Sequence, residues 1–316
     1  MTPGQTGDMS DVIAVAEASD EFECFGSTCA VYVAGDGALG SAREALATVK
    51  RTLLEWHSQF SRFEPASELN ELNSDPRPLV RVSPMMARLA DSIASVGLLT
   101  GGLVDGTLID QVRAAGYADH FGGASLPIAQ ALALAPPRRP GGRGARKGWR
   151  ELHVDRAAGT VTRPPGLKLD SGGIAKGLFG DVLASRLEDY ASFAIDSGGD
   201  IRVGGAAGWE REIEVAGPFD ARIIRRFGVR AGAVATSGIG KRSWLRSDGR
   251  PAHHLIDPAT GEPAFTGIVQ VTAVAPSGVL AEALSKAALL SGPEGAERWL
   301  TRGGVIVYDD GSDQVV

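Results

Sequence analysis

Two cysteines and five histidines among 316 residues exclude several common chemistries. There is no H-E-x-x-H and no cysteine pair at zinc spacing, so a zinc enzyme of the usual kinds is not expected. Cys24 and Cys29 lie in a strand-like run, where an odd separation points side chains to opposite faces, so two reduced, buried thiols are expected rather than a disulfide or a metal site. No segment approaches the roughly 18 uncharged apolar residues of a membrane span, and the N-terminus lacks a cationic start followed by an apolar stretch. A cytoplasmic protein without membrane insertion is therefore expected. A basic excess is missing too: the net charge is -6 with a pI near 5.5, which argues against a general nucleic-acid binder. No solenoid-period repeat is visible.

What is present is a globular composition, 43% hydrophobic with a mean hydropathy of -0.01, enough for a sizeable core. Residues 1–20 read as a disordered leader and 21–316 as one domain. "FECFGSTCAVYV" (Phe22 to Val33) alternates like a strand, and "LGSAREALATVKRTLLEWHSQFSRF" has helical apolar spacing. "SPMMARLADSIASVGLL" predicts a helix with Ser83 as N-cap and Pro84 at its first position. Residues 122–149, rich in Pro, Gly and Arg, predict a surface loop around a short helix, and its cations read as a solvated run. The second half alternates short strands unevenly with helices near 174–189 and 278–290, which predicts an α+β fold with mixed sheets and flanking helices.

Three polar glycine turns follow strands: "LDSGGIAKG" with Asp170 and Lys176, "IDSGGDIRVGG", and "VATSG" with Thr236 and Ser237 ahead of two cations. A strand, a glycine turn and a helix start leave free backbone N–H groups that suit an anion, and the recurrence points to a phosphate-bearing ligand. "HHLIDPATGEP" supplies adjacent histidines, of which at most one is expected to face a site. In "VLAEALSKAALLSG", Glu282, Ser285 and Lys286 fall on one helical face. By spacing alone this is a simple ion pair stabilising by roughly 0.2–0.5 kcal/mol.

The order of these motifs, with "FGST", "SRFEPASELNELN" and "TGGLVDGTLID" upstream, resembles the ApbE family, the FAD:protein FMN transferases, over residues 22–308. The resemblance implies an α+β domain with FAD in a cleft and Mg2+ near the diphosphate. It implies transfer of FMN from FAD to a Ser or Thr hydroxyl of an acceptor flavoprotein, with release of AMP. Two other activities compatible with it are FAD binding without transfer and Mg-dependent hydrolysis of the FAD diphosphate.

Carried onto this chain, the resemblance puts Phe25 and Phe63 beside the flavin and makes Leu103, Val104, Asp105, Asp170, Lys176 and Ser237 FAD contacts. His254 lies where the family has a histidine before a hydrophobic pair and Asp-Pro, and an imidazole there suits a general base or a cleft wall. Carbonyls near Gly173, together with Glu282 and Ser285, would face the metal. The family pattern on that helix is an Asp and, four residues on, a Thr, whereas this chain has Glu282 and Lys286. A protonated ammonium cannot be a metal ligand, so Lys286 is a candidate to supply the charge itself.

Overall fold

The expected single strand from Phe22 to Val33 is a tight hairpin in the computed structural model, which describes residues 15–118, 125–144 and 147–316. Strand Glu17–Cys24 pairs antiparallel with Ser27–Ala34, turning at Phe25 and Gly26, both left-handed at φ 55° and 65°. Glycine adopts that backbone freely; phenylalanine does so at a cost that the surroundings must offset. The hairpin also corrects the cysteine geometry. Cys24 pairs with Ser27, two residues from Cys29, so both thiols lie on the same face. Both are buried and free, with the Cys29 Sγ donating to the Cys24 carbonyl at 3.6 Å. The strand starting at Glu17 shortens the expected leader, because residues 17–20 are already paired with 31–34; residues 1–14 lie outside the described residues.

These two strands open an eight-stranded antiparallel sheet that continues in chain order through Ser192–Ser197, Asp200–Gly204, Gly232–Gly238, Ile268–Ala275, Gly304–Tyr308 and Asp313–Val315. Sequential order makes the sheet a meander, and the functional elements are excursions between its strands. The longest, from Ala34 to Ser192, holds helices Ala42–Phe60, Pro84–Leu99 and Ala175–Ala184. The Ala42–Phe60 helix packs on the opening hairpin through Leu46, Val49, Leu53 and Trp56. Ser83 caps Pro84–Leu99 as its sequence predicts, accepting the Met86 N–H at 3.1 Å. The helix expected to reach residue 189 ends at Ala184, and turns carry the chain to the next strand.

The segment expected as a surface loop is tied down where it is described. Gly141 donates to the Leu290 carbonyl at 2.7 Å, Gly142 to Asp257 Oδ1 at 2.8 Å, and Trp149 is buried in the core. Its Arg and Gly content hid these anchors, and residues 122–124 and 145–146 lie outside the described residues. No helix among the described residues is long and apolar enough to cross a membrane.

Helix Gly278–Ser291 places the site. It packs on strands Gly232–Gly238 and Ile268–Ala275 and on helix Ala175–Ala184. The two helices meet at Gly177 and Gly278, where a Cβ on either would collide with the other's backbone. Asp181 on the first helix accepts from the Gly278 and Val279 N–H groups at 2.7 and 3.0 Å, satisfying donors that a helix start leaves open. Nearly every residue of Gly278–Ser291 is buried, including Glu282, Ser285 and Lys286. The pair on this helix is thus internal, contrary to a surface ion pair.

Candidate active site

The glycine contact between Gly177 and Gly278 brings the starts of the two helices together. Glu282, only 1% exposed, accepts the Gly177 N–H on Oε2 at 2.8 Å and meets Lys286 Nζ with Oε1 at 3.2 Å. Burial raises the Glu282 pKa, and the charges of Lys286 and Lys176 act against that rise. Lys286 lies against the glycine turn: a Cβ on Gly173 would stand 3.6 Å from its Cε. Ser285 points to the neighbouring strand and shares a 2.8 Å hydrogen bond with Ser237.

Lys176, one residue before that contact, pairs with Asp200 at 2.7 Å and donates to the Ser197 carbonyl at 2.9 Å. Burial alone would push its pKa down, but Asp200 and Glu282 outweigh it and hold the ammonium above its ordinary range. The second glycine turn thereby joins the first, since Ser197 and Asp200 flank Gly198 and Gly199. Burial lifts the Asp196 carboxyl in the same turn above the usual carboxylate range.

His254 completes the charged cluster. Its Nδ1 is enclosed without a hydrogen-bond partner, and burial followed by the charges of Arg242, His253, Lys286 and Lys176 drives its pKa well down. The ring is therefore neutral at physiological pH. His253 is turned into the core, where its Nδ1 accepts the Leu255 N–H at 3.3 Å.

Phe25 borders this cluster through Arg242, whose Nη2 donates to the Phe25 carbonyl at 2.9 Å while the Phe25 N–H donates to His57 Nδ1 at 3.1 Å. Arg242 is itself left-handed at φ 58°, so two strained residues hold each other across the turn. The phenyl ring stacks between His57 and Phe179, with centroids 5.3 and 5.5 Å away. Cys24, under this turn, is pulled down to about 6 by the Cys29 thiol and by His57.

The remaining predicted contacts form a neighbouring wall. Asp170 pairs with Arg62 at 3.4 Å, and Arg62 lies over the rings of Phe63 and Tyr117 at 4.8 and 4.1 Å. Tyr117 in turn packs on Trp244 at 5.5 Å. Leu103 and Val104 are buried in the main core, and Asp105 accepts from the Thr107 N–H and hydroxyl at 2.9 and 2.7 Å. The cavity lined by Leu132, Pro137, Arg138, Phe265 and Asp309 includes none of these site residues.

The ApbE family profile matches residues 25–308. This chain belongs to the ApbE family. It is similar to a FAD:protein FMN transferase of Haemophilus influenzae, 24% identical over 329 residues and covering 95% of this chain and 92% of the relative. A FAD:protein FMN transferase of Klebsiella pneumoniae is 27% identical over 244 residues, 74% of this chain and 67% of the relative. Among solved structures, the ApbE protein of Thermotoga maritima has a TM-score of 0.76 at 24% identity, covering 95% of this chain and 97% of that one. The apo Pseudomonas stutzeri flavinyl transferase ApbE has a TM-score of 0.75 at 22% identity, covering 97% and 96%. At these identities the structures share the fold.

The magnesium implied for ApbE proteins meets an unsuitable donor set here. Both Glu282 oxygens are engaged, the Ser285 hydroxyl is shared with Ser237, and Lys286 lies beside the Gly173 turn. A divalent ion about 4 Å from the ammonium would be repelled by about 8 kcal/mol at an effective dielectric of about 20. Among the described residues, no group of three or more His, Cys, Asp or Glu is arranged to hold a metal ion. Gly173, Glu282 and Ser285 do not fit the metal role.

Sequence reasoning missed Arg242 and Asp200 as site residues. Asp200 is the acid closing "DSGGD", and Arg242 is one of the two cations behind "VATSG". Both stood in motifs already noticed, but only the folded sheet shows which side chains turn inward.

Proposed function

We propose that this ApbE-family chain transfers FMN from FAD to a Ser or Thr hydroxyl of an acceptor flavoprotein, releasing AMP. The observation that carries this reading is the gathering of three cations, Lys176, Lys286 and Arg242, about a neutral His254. Phosphoryl transfer asks a protein mainly to position the nucleophile and to neutralise charge on the phosphates. The acceptor oxygen attacks the FMN phosphorus, the bond from that phosphorus to the AMP phosphate oxygen breaks, and the hydroxyl proton passes to the neutral His254 imidazole. AMP leaves with the bridging oxygen.

In this reading the diphosphate lies by the Gly172–Gly173 turn, against which the Lys286 side chain rests. Phe25 and Phe63 flank the flavin, while Leu103, Val104, Asp105, Asp170, Lys176 and Ser237 line the rest of the FAD cleft. No step is routed through Mg2+, because the donor set does not fit it. A cytoplasmic site of action suits two free, buried thiols.

Incubating the chain with FAD and an extract from cells lacking its gene, then reading flavin fluorescence on a denaturing gel, tests the proposal. A fluorescent band that needs both FAD and the chain is expected. Release of AMP with no covalent band would instead indicate hydrolysis, and FAD binding without either product a binding protein.

A further inference from the structure

We infer that Lys286 is a built-in counter-charge for the diphosphate, so that this chain binds FAD without a divalent cation; the inference rests on the function proposed above. The ammonium is placed by a rigid element rather than by a loop. Its helix is buried almost all round and locked at the Gly177–Gly278 contact, so Lys286 can depart from the turn only by swinging its own side chain. Glu282 opposes that swing by holding Nζ at 3.2 Å.

Glu282 takes one of the three N–H donors of the ammonium, and no second protein acceptor meets it among the described residues. The side chain keeps 11% exposure while Glu282 has 1%. The ammonium is therefore on the more open member of the pair, and its stem lies against the glycine turn. Lys176 differs: Asp200 and the Ser197 carbonyl already occupy it, so it serves more to hold the second turn.

Glu282 is equally committed. With the Gly177 N–H on one oxygen and Lys286 on the other, its carboxylate already stabilises an internal cation. A dication on that carboxylate would sit beside the ammonium and be repelled by it. Lys286, which repels the metal, thus places its ammonium at the turn with Glu282 behind it. A lysine acts here as a point charge with several donors, which suits phosphate oxygens.

The test is FAD affinity, measured by quenching of flavin fluorescence, in EDTA and in excess MgCl2. Wild-type affinity should be the same in both, within about twofold, whereas Lys286→Met should weaken FAD about tenfold or more in either condition. Lys286→Arg, which keeps the charge, should retain most of the binding. Because Lys286→Met strands a buried carboxylate, the paired variant Glu282→Gln with Lys286→Met is measured alongside; it should fold, by circular dichroism, and show the same weakened binding. Wild-type FAD binding that depends on MgCl2, or wild-type affinity in the folded paired variant, would overturn the inference while leaving flavin transfer standing. Failure to bind FAD in both conditions would overturn the proposed function and this inference together.

Discussion

His253 and His254 are chain neighbours in different surroundings. His253 packs edge-on to Phe265, ring centroids 4.8 Å apart, and burial moves its pKa from 6.5 to about 3. Between those values the unfolded chain binds a proton that the folded chain refuses. The stability due to neutral His253 is therefore complete above 6.5 and falls as pH drops toward 3. The loss reaches about 5 kcal/mol at most. Denaturant unfolding at a series of pH values should show a shallower acid limb for His253→Asn, and an unchanged limb would contradict this origin. His254 is the neighbour that the proposed function makes the base. Its neutrality depends on burial and on facing cations, and a bound diphosphate would screen those cations and raise its basicity. His254→Ala should lower flavin transfer by about a hundredfold or more while FAD titration shows binding retained. Loss of binding with no separate effect on turnover would make His254 a wall of the cleft instead of the base.

The contact between helices Ala175–Ala184 and Gly278–Ser291 decides whether the cluster exists at all. Gly177→Ala should push the helices apart, costing about 1–3 kcal/mol in urea unfolding. It should also weaken FAD binding, because the Gly177 N–H orients Glu282. A variant with wild-type stability and affinity would show that the close approach is not required. Elements with strong local signals were legible in the sequence: Pro84–Leu99 carries its own cap and proline, and Gly278–Ser291 is mostly Ala and Leu with Ser277 as its cap. The hairpin at Phe25 was not, because its left-handed phenylalanine is held by His57 and Arg242, distant in the chain. For the same reason the cysteine faces were misjudged. The strand pair Ser243–Leu245 and Pro251–His253 was also missed, since strands of three residues, SWL and PAH, carry little periodicity.

Across the whole molecule, the site is assembled from residues between Phe25 and Lys286, carried by the strands of the meander and the excursions between them. Motif order made the family and the α+β class legible, because each motif ends a strand or opens a helix. What it could not convey was depth: a Glu and a Lys at helical spacing look alike whether exposed or buried. The acidic overall charge of -6 coexists with cations concentrated where a diphosphate would lie. The central claim is that this arrangement breaks the FAD diphosphate by transfer to a protein hydroxyl. Its most direct measurement is the ratio of AMP released to flavin bound covalently, by chromatography of the supernatant and mass spectrometry of the acceptor. Equal amounts of AMP and of an FMN phosphoester on Ser or Thr are predicted; AMP accompanied by free FMN, with no adduct on protein, would contradict the account.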